Sequence, residues 1–269
     1  MFQPKRQRLF SWVKPNRQGF IPLSLVGLLL LGCSAASNSP ASAASASPTP
    51  TPSPSASVSA TATPTPSVTP SVTPTPDPTG QSIDRADSLW VVVNKVRPLN
   101  PLKYKPVLDQ WLNLAQPAAT GYRKLKSAMS TAGVGTLCLN SGYRSFATQT
   151  ATYNLDVARY GKKVAENLAA HPGYSEHQTG LAADVSTTQL GCRINNFGAS
   201  KASSWIAANG YKYGFIVRYP SGQTAYTGYQ YEPWHLRFVG VDVATAMHNA
   251  NISVLEKYFG LPAAPKYLN

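Results

Sequence analysis

This chain of 269 residues lacks several features that would place it in common functional classes. Its main apolar run, residues 21–31, is shorter than the about 20 residues of a membrane-spanning helix. The net charge is +13, but no dense tract of Lys and Arg follows residue 20, which argues against nucleic-acid binding. Residues 34–76 contain no charged side chain, and their Ser, Ala, Thr and Pro cannot bury enough apolar surface to fold.

The N-terminal segment has the layout of an export signal. Residues 1–20 contain no acid, and their positive side chains are Lys5, Arg6, Arg8, Lys14 and Arg17. The apolar run follows and ends in Leu30-Leu31-Gly32-Cys33, which resembles the lipobox of bacterial lipoproteins. We therefore predict a signal peptide over residues 1–33, with Cys33 as the lipidated residue. The alternative is an ordinary signal peptide with an accidental cysteine.

Composition then divides the rest of the chain in two. Residues 34–81 are predicted to be a disordered linker, able to reach on the order of 100 Å if extended, and residues 82–269 a single folded domain. Removal of the leader would leave a net charge of +8, which suits anionic wall polymers or lipid head groups. The expected location is the cell envelope, lipid-anchored to the membrane and facing the periplasm or the cell exterior.

Only two cysteines lie outside the predicted leader, Cys138 and Cys192. In an oxidising compartment they are candidates for one disulfide, which would clamp two segments beside the site described below. Two free buried thiols are the alternative.

Hydrophobic spacing predicts an α+β domain with a mainly antiparallel central sheet flanked by helices. Residues 88–93 are expected to form an edge strand or extended arm. Helices are predicted over 117–133, 145–168, 200–209 and 241–259. The helix over 145–168 has an apolar stripe of Tyr153, Val157, Tyr160 and Val164. Strands are predicted over 136–140, 181–185, 215–219, near Tyr226, and over 234–239.

The first candidate half-site is the stretch Ser175-Glu176-His177-Gln178-Thr179-Gly180-Leu181-Ala182-Ala183-Asp184. Its histidine and aspartate are seven positions apart, too far for one helix face, where metal-binding histidines lie three or four apart. A loop that turns at Gly180 onto a strand would bring Asp184 beside His177. Taken alone, a histidine and an aspartate this close are more often a solvated loop pair.

The second half-site is Glu232-Pro233-Trp234-His235. His235 added to His177 and Asp184 gives two nitrogen ligands and one oxygen ligand, the number in a catalytic zinc site with its fourth position open. Glu232 would then be the general base acting on the water. In isolation, Glu232 is more simply a surface acid and His235 a packed strand histidine. The other two histidines, His171 and His248, are not expected to bind metal.

A third element, Ser141-Gly142-Tyr143-Arg144-Ser145, places a cation at the end of a predicted strand. The guanidinium of Arg144 can stabilise negative charge on a carbonyl oxygen or bind a substrate carboxylate. Pairing with one of the few acids of the domain is the structural alternative.

In this order the three motifs resemble the VanY-type D-alanyl-D-alanine carboxypeptidases, zinc peptidases that trim peptidoglycan stem peptides. The resemblance covers roughly residues 89–238. It implies one zinc ion held by His177, Asp184 and His235, Glu232 as catalytic base, and contacts from Arg144 and Ser175 to the substrate. Gln149 would line the cleft or hydrogen-bond on a helix surface, and Trp234 would wall the pocket or belong to the core.

The function predicted on these grounds is zinc-dependent hydrolysis of the terminal D-Ala-D-Ala bond of peptidoglycan stem peptides. The alternatives are an LD-carboxypeptidase, a D,D-dipeptidase, a peptidoglycan endopeptidase, or a wall-binding lipoprotein without catalysis. The expected partners are stem peptides and, through the anchor, a membrane. The enzyme is expected to be a monomer without a nucleic-acid partner.

Overall fold

The computed structural model describes residues 80–268, in which four strands form one sheet of order β1-β2-β4-β3. The strands are β1 (Leu137–Ser141), β2 (Ala182–Thr187), β3 (Phe215–Tyr219) and β4 (Glu232–Phe238). Every neighbouring pair is antiparallel. With helices flanking this sheet, the predicted α+β class is confirmed.

Seven α-helices are found within residues 80–268. They are α1 (Gln116–Thr131), α2 (Phe146–Tyr160), α3 (Lys162–Leu168), α4 (Lys201–Asn209), α5 (Thr224–Thr227), α6 (Val241–Asn249) and α7 (Leu255–Tyr258). None of the described helices is both long and apolar enough to span a bilayer. The predicted signal segment with Cys33, and the linker up to residue 79, lie outside the described residues.

Local sequence explains where the main helices begin. Pro117 lies in the first turn of α1, where its missing N–H costs no hydrogen bond. The Oγ of Ser145 accepts a hydrogen bond from the backbone N–H of Thr148 at 3.1 Å and so caps α2. Ser200 caps α4 in the same way, accepting from the N–H of Ser203 at 3.1 Å.

The apolar face of α1 packs on the sheet and forms the larger core. Tyr122, Leu125 and Met129 of this helix are buried together with Val185 of β2 and Leu236 of β4. Residues 88–93 are an irregular arm rather than a strand, and its Val91 and Val93 are buried in the same core. The smaller core lies around α6 and includes Met247 and Phe259.

Three elements differ from the sequence prediction. The long helix predicted over 145–168 breaks at Gly161, whose φ of +78° is left-handed, so the chain restarts as α3. The apolar stripe predicted for this helix is not buried along its whole length, because Tyr160 is 53% and Val164 is 47% exposed.

The segment around Tyr226 is the short helix α5 rather than a strand. The backbone of this segment makes a helical hydrogen bond within itself, since the N–H of Gly228 donates to the carbonyl of Thr224 at 2.8 Å. The helix predicted over 241–259 is divided into α6 and α7, and Asn251 between them has a φ of +53°. In both divided helices a positive φ at one residue interrupts a pattern that hydrophobic spacing alone would continue.

A disulfide joins Cys138 of β1 to Cys192, just after the end of β2, with a Cα–Cα distance of 5.8 Å. It closes a loop of 54 positions in sequence. In the chain-entropy account, cross-linking over that length raises the free energy of the unfolded chain by about 4 kcal/mol. The measured stabilisation by a disulfide is usually about 2–4 kcal/mol.

We therefore expect the double variant Cys138→Ser/Cys192→Ser to unfold at lower urea than the oxidised protein, losing about 2–4 kcal/mol of stability. Wild-type protein treated with a thiol reductant serves as the matched control and should show the same loss. Equal unfolding midpoints for the variant and the oxidised protein would show that the bridge does not stabilise the fold.

Candidate active site

The two predicted half-sites meet on neighbouring strands. Asp184 of β2 lies directly opposite His235 of β4 in the antiparallel register. His177 lies within a single 3-10 turn, Glu176–Thr179, which is followed by Gly180 with a φ of +71°. The carbonyl of Gly180 accepts a hydrogen bond from Ala115 at 2.8 Å, and this close approach holds the turn against the start of α1. The loop therefore folds onto the strand as its sequence predicts.

Side-chain ligand atoms of His177, Asp184 and His235 all lie within 4.8 Å of one another. The Nε2 of His177 is 3.3 Å from one carboxylate oxygen of Asp184, and the Nδ1 of His235 is 3.1 Å from the other. Yet His177 Nε2 and Asp184 Oδ1 are buried without a hydrogen-bond partner among the described residues. Buried polar atoms are nearly always paired. Atoms that surround one point without bonding to each other fit the donor set of a single zinc ion.

Hydrogen bonds behind the two imidazoles leave the correct nitrogens facing this point. The Nδ1 of His177 donates to the carbonyl oxygen of Gly142 at 2.7 Å, so Nε2 is the unprotonated atom of the neutral ring. The Nε2 of His235 lies 3.3 Å from a carboxylate oxygen of Glu176, which leaves Nδ1 toward Asp184. Each ring is thus oriented by an acceptor on its far side.

Glu232 lies beside this group, with its Oε2 3.8 Å from the Nδ1 of His235. Residues three apart on a regular strand point to opposite faces. Here the register of β3 and β4 shifts between Val217 and Tyr219, so that the extra residues on β4 allow Glu232 and His235 to face the same pocket. Burial raises the pKa of the Glu232 carboxyl to about 7, with His235 acting in the opposite direction.

The electrostatics of the group favour positive charge at its centre. Burial opposes protonation of His235, but the Asp184 and Glu176 carboxylates raise its pKa to about 9. Burial acts to raise the pKa of Asp184, yet the neighbouring His177 and His235 hold it well below its usual range. Carboxylates that stabilise a proton here would equally stabilise a divalent cation.

A small pocket opens over the group, and the predicted substrate contacts Arg144 and Ser175 line it. The backbone N–H of Arg144 donates to the carbonyl of His177 at 3.2 Å, which fixes the end of β1 against the metal-facing turn. Its Nε is buried without a partner, and it forms no ion pair with any acid within residues 80–268. The tyrosines Tyr219 and Tyr229 complete the wall.

The structure places the other two predicted substrate contacts outside this pocket. Gln149 is fully buried, and its Nε2 donates to the carbonyl of Ala170 at 2.8 Å, so it supports the pocket wall from behind. Trp234 lines a separate groove and packs against the larger core. His171 stacks on Tyr267 and His248 on Tyr211, both away from the three-ligand group.

Sequence reasoning missed a buried ionic network directly behind the site. Glu176 is fully buried, and its Oε1 accepts from the Nε of Arg218 and from an Nη of Arg237, each at 2.7 Å. Burial acts to raise the pKa of Glu176, but the two guanidinium groups and His235 lower it well below the usual range. The same carboxylate faces His235, so the network fixes the orientation of that imidazole.

Glu256 and Asn94 complete the network. Arg218 donates to both oxygens of Glu256 at 2.9 and 2.6 Å, and Asn94 donates to the same carboxylate at 3.0 Å. Arg237 also donates to the carbonyl oxygens of Leu89 and Val91, which ties the irregular arm to β4. A charged residue inside each of two apolar strands was the sequence signal for these arginines.

Comparison with known proteins agrees with this geometry. Residues 112–241 match the family profile described as VanY, D-alanyl-D-alanine carboxypeptidase. A D-alanyl-D-alanine carboxypeptidase of Enterococcus faecium is 36% identical over 152 residues, which is 56% of this chain and 46% of the relative. The chain spans about half the length of this protein and of a second curated relative from Bacillus subtilis.

Two solved structures match over nearly their whole length. The LdcB LD-carboxypeptidase is 34% identical with a TM-score of 0.59, and the match covers 68% of this chain and 89% of that one. A variant of the vancomycin resistance D,D-pentapeptidase VanY in complex with Zn(II) is 32% identical with a TM-score of 0.56. That match covers 63% of this chain and 97% of that one.

Proposed function

The chain belongs to the VanY family of D-alanyl-D-alanine carboxypeptidases, and on that premise we propose that it removes the terminal D-alanine from peptidoglycan stem peptides. The observation that carries the proposal is the convergence of His177, Asp184 and His235 on one point, with Glu232 beside it. A binding protein without catalysis has no use for a carboxylate placed next to the open side of a metal site.

We propose that His177 Nε2, Asp184 and His235 Nδ1 hold one zinc ion. When bound, zinc acts as a Lewis acid on the scissile carbonyl and lowers the pKa of water. Glu232 takes the proton of the attacking water and delivers it to the nitrogen of the leaving D-alanine. Its position, 3.8 Å from His235 Nδ1 and in the lining of the pocket, suits both transfers.

Arg144 is the only side chain with a permanent positive charge among the pocket-lining residues that the structure describes. A carboxypeptidase must recognise a free terminal carboxylate, and a guanidinium binds that group with two parallel hydrogen bonds. We assign this contact to Arg144, whose buried Nε has no hydrogen-bond partner among residues 80–268. We assign a hydrogen bond to the peptide to Ser175.

Incubation of the purified protein with a pentapeptide stem is expected to release one D-alanine per peptide. A chelator should stop the reaction and added zinc should restore it. The same pentapeptide with an amidated C-terminus is the matched control, and loss of its carboxylate should reduce hydrolysis strongly. Mass analysis showing no product from the free acid, or product formation that a chelator does not affect, would contradict the proposal.

The second candidate is LD-carboxypeptidase activity, which the match to LdcB favours. The two activities differ in the residue that precedes the released D-alanine. A tetrapeptide stem tested beside the pentapeptide distinguishes them, because an LD-enzyme shortens the tetrapeptide and leaves the D-Ala-D-Ala terminus intact.

We propose further that the enzyme acts at the cell envelope, lipid-anchored through Cys33. The support is the signal-like leader ending in Leu-Leu-Gly-Cys and the uncharged stretch that follows it. Labelled fatty acid should be incorporated into the wild-type protein expressed in bacteria and not into Cys33→Ser. Equal labelling of both would place the anchor elsewhere.

A further inference from the structure

A second groove lies beside the catalytic strand, and nothing in the proposed hydrolysis uses it. Its walls are the segment around the 3-10 turn Phe197–Ala199 and the approach to β4, and its lining includes Asn195, Asn196, Tyr231 and Trp234. For Trp234 the sequence left open the catalytic pocket or the core, and the structure places it in this groove, packed against the larger core.

Strand pairing explains why this groove exists. β2 and β4 are hydrogen-bonded only from Ala182–Arg237 to Asp184–His235. Beyond Asp184 the rest of β2 pairs with β1 alone, so the first residues of β4 have no partner strand on that side. The turn around Gly198 fills part of the gap, since a Cβ on this glycine would lie 2.9 Å from Pro233.

The groove is therefore continuous in sequence with the catalytic residues. Tyr231 and Pro233 line it, while Glu232 between them faces the catalytic pocket. Likewise Trp234 lines the groove and the next residue, His235, belongs to the three-ligand group. A substrate bound in the catalytic pocket would have its remaining parts within reach of the groove.

The chemistry of the lining selects the kind of ligand. No lining residue carries a charge at neutral pH. Tyr231 is 46% exposed, Asn195 and Asn196 are exposed, and the side chains of these three residues form no hydrogen bond within residues 80–268. Aromatic rings beside unpaired amides and a hydroxyl suit a neutral ligand with apolar C–H faces and many hydroxyl or acetamido groups.

We propose that this groove binds an N-acetylated amino sugar of the glycan strand that carries the stem peptide. The inference depends on the proposed function, because the sugar is the neutral part of that substrate, whereas the stem carries carboxylates. Binding of the sugar beside the hydrolytic pocket would hold polymeric substrate and make the enzyme more efficient on glycan-linked stems than on free peptides.

The test compares a free pentapeptide with the same pentapeptide attached to its N-acetylglucosaminyl-N-acetylmuramic acid disaccharide. We expect kcat/KM for D-alanine release to be about threefold to tenfold higher for the glycan-linked substrate, as for one aromatic contact. In Tyr231→Ala the ratio of the two values should fall toward one, and Asn195→Ala should also lower it. Tyr160→Ala, which removes a tyrosine of comparable exposure (53% against 46%) outside both pockets, should leave the ratio unchanged.

A direct binding measurement separates this inference from the proposed function. The tetrasaccharide of N-acetylglucosamine should bind chelator-treated wild-type protein and Tyr160→Ala, and should bind Tyr231→Ala and Asn195→Ala more weakly. The inference would be overturned if the wild type binds no tetrasaccharide and its ratio of kcat/KM values is near one. It would also be overturned if both groove variants keep the wild-type ratio. If neither substrate releases D-alanine, the proposed hydrolysis is wrong, and tetrasaccharide binding alone then decides whether the groove recognises sugar.

Discussion

Glu232→Gln is expected to lower kcat for D-alanine release by about 10²–10⁴-fold, with a much smaller effect on KM. The glutamine keeps the shape of the side chain but cannot accept the proton of the attacking water. Because Glu232 is not one of the three ligands that converge on one point, the variant should still bind one zinc per chain. Kinetics with a pentapeptide substrate, together with metal analysis of the same sample, measures both effects.

Glu166→Gln is the matched control for that variant. It makes the same chemical change on α3, where Glu166 pairs with Lys162 and His171 rather than facing the metal group. Its kcat should stay close to that of the wild type. Full activity of Glu232→Gln, or zinc loss equal to its loss of activity, would show that Glu232 is not the base.

Replacement of Glu176 by glutamine is expected to destabilise the fold by about 3–5 kcal/mol. Glu176, Arg218, Arg237 and Glu256 are all fully buried, and their two positive and two negative charges balance. Removal of one negative charge leaves Arg237 without a carboxylate partner in a site that water does not reach. The penalty for an unpaired buried charge is far larger than that for losing a surface pair.

Urea unfolding monitored by circular dichroism would measure this loss. Asp87→Asn is the control, because it removes an ion pair with Arg85 whose two side chains are 58% and 61% exposed. The unfolding midpoint of Asp87→Asn should match that of the wild type, whereas that of Glu176→Gln should fall markedly. Equal midpoints for all three proteins would mean that the buried network does not contribute to stability.

The two predictions distinguish a residue that takes part in the reaction from a residue that holds the site together. Glu232 is expected to be needed for the reaction and to be replaceable without loss of the fold. Glu176, one residue before His177, is expected to be needed for the fold, and its carboxylate lies 3.3 Å from the Nε2 of His235 and orients that ring. In the pair Glu176-His177 a supporting residue therefore stands directly beside a residue of the three-ligand group.

Short motifs made the metal group predictable from sequence. Gly180 between His177 and Asp184 indicated a turn onto a strand, and the structure has that turn at a φ of +71°. The serine caps at positions 145 and 200 were predictable for the same reason, since the interaction that defines each spans three residues.

The features that sequence reasoning missed depend on contacts between distant segments. Glu176 and Arg218 are 42 positions apart, and Glu176 and Arg237 are 61 apart. No local pattern links such pairs, although an arginine within the apolar strand Phe215–Tyr219 signals a buried partner. The position of Trp234 depended on where β2 leaves β4, a question of strand pairing that the motif Glu-Pro-Trp-His does not contain.

The most direct test of the account is anomalous X-ray scattering at the zinc edge from crystals of the zinc-loaded protein. We predict one peak per chain, about 2.0–2.2 Å from His177 Nε2, His235 Nδ1 and a carboxylate oxygen of Asp184. Glu232 should lie beside the peak and outside its ligand shell. A peak at another place, or none at these three residues, would contradict the proposed catalytic centre.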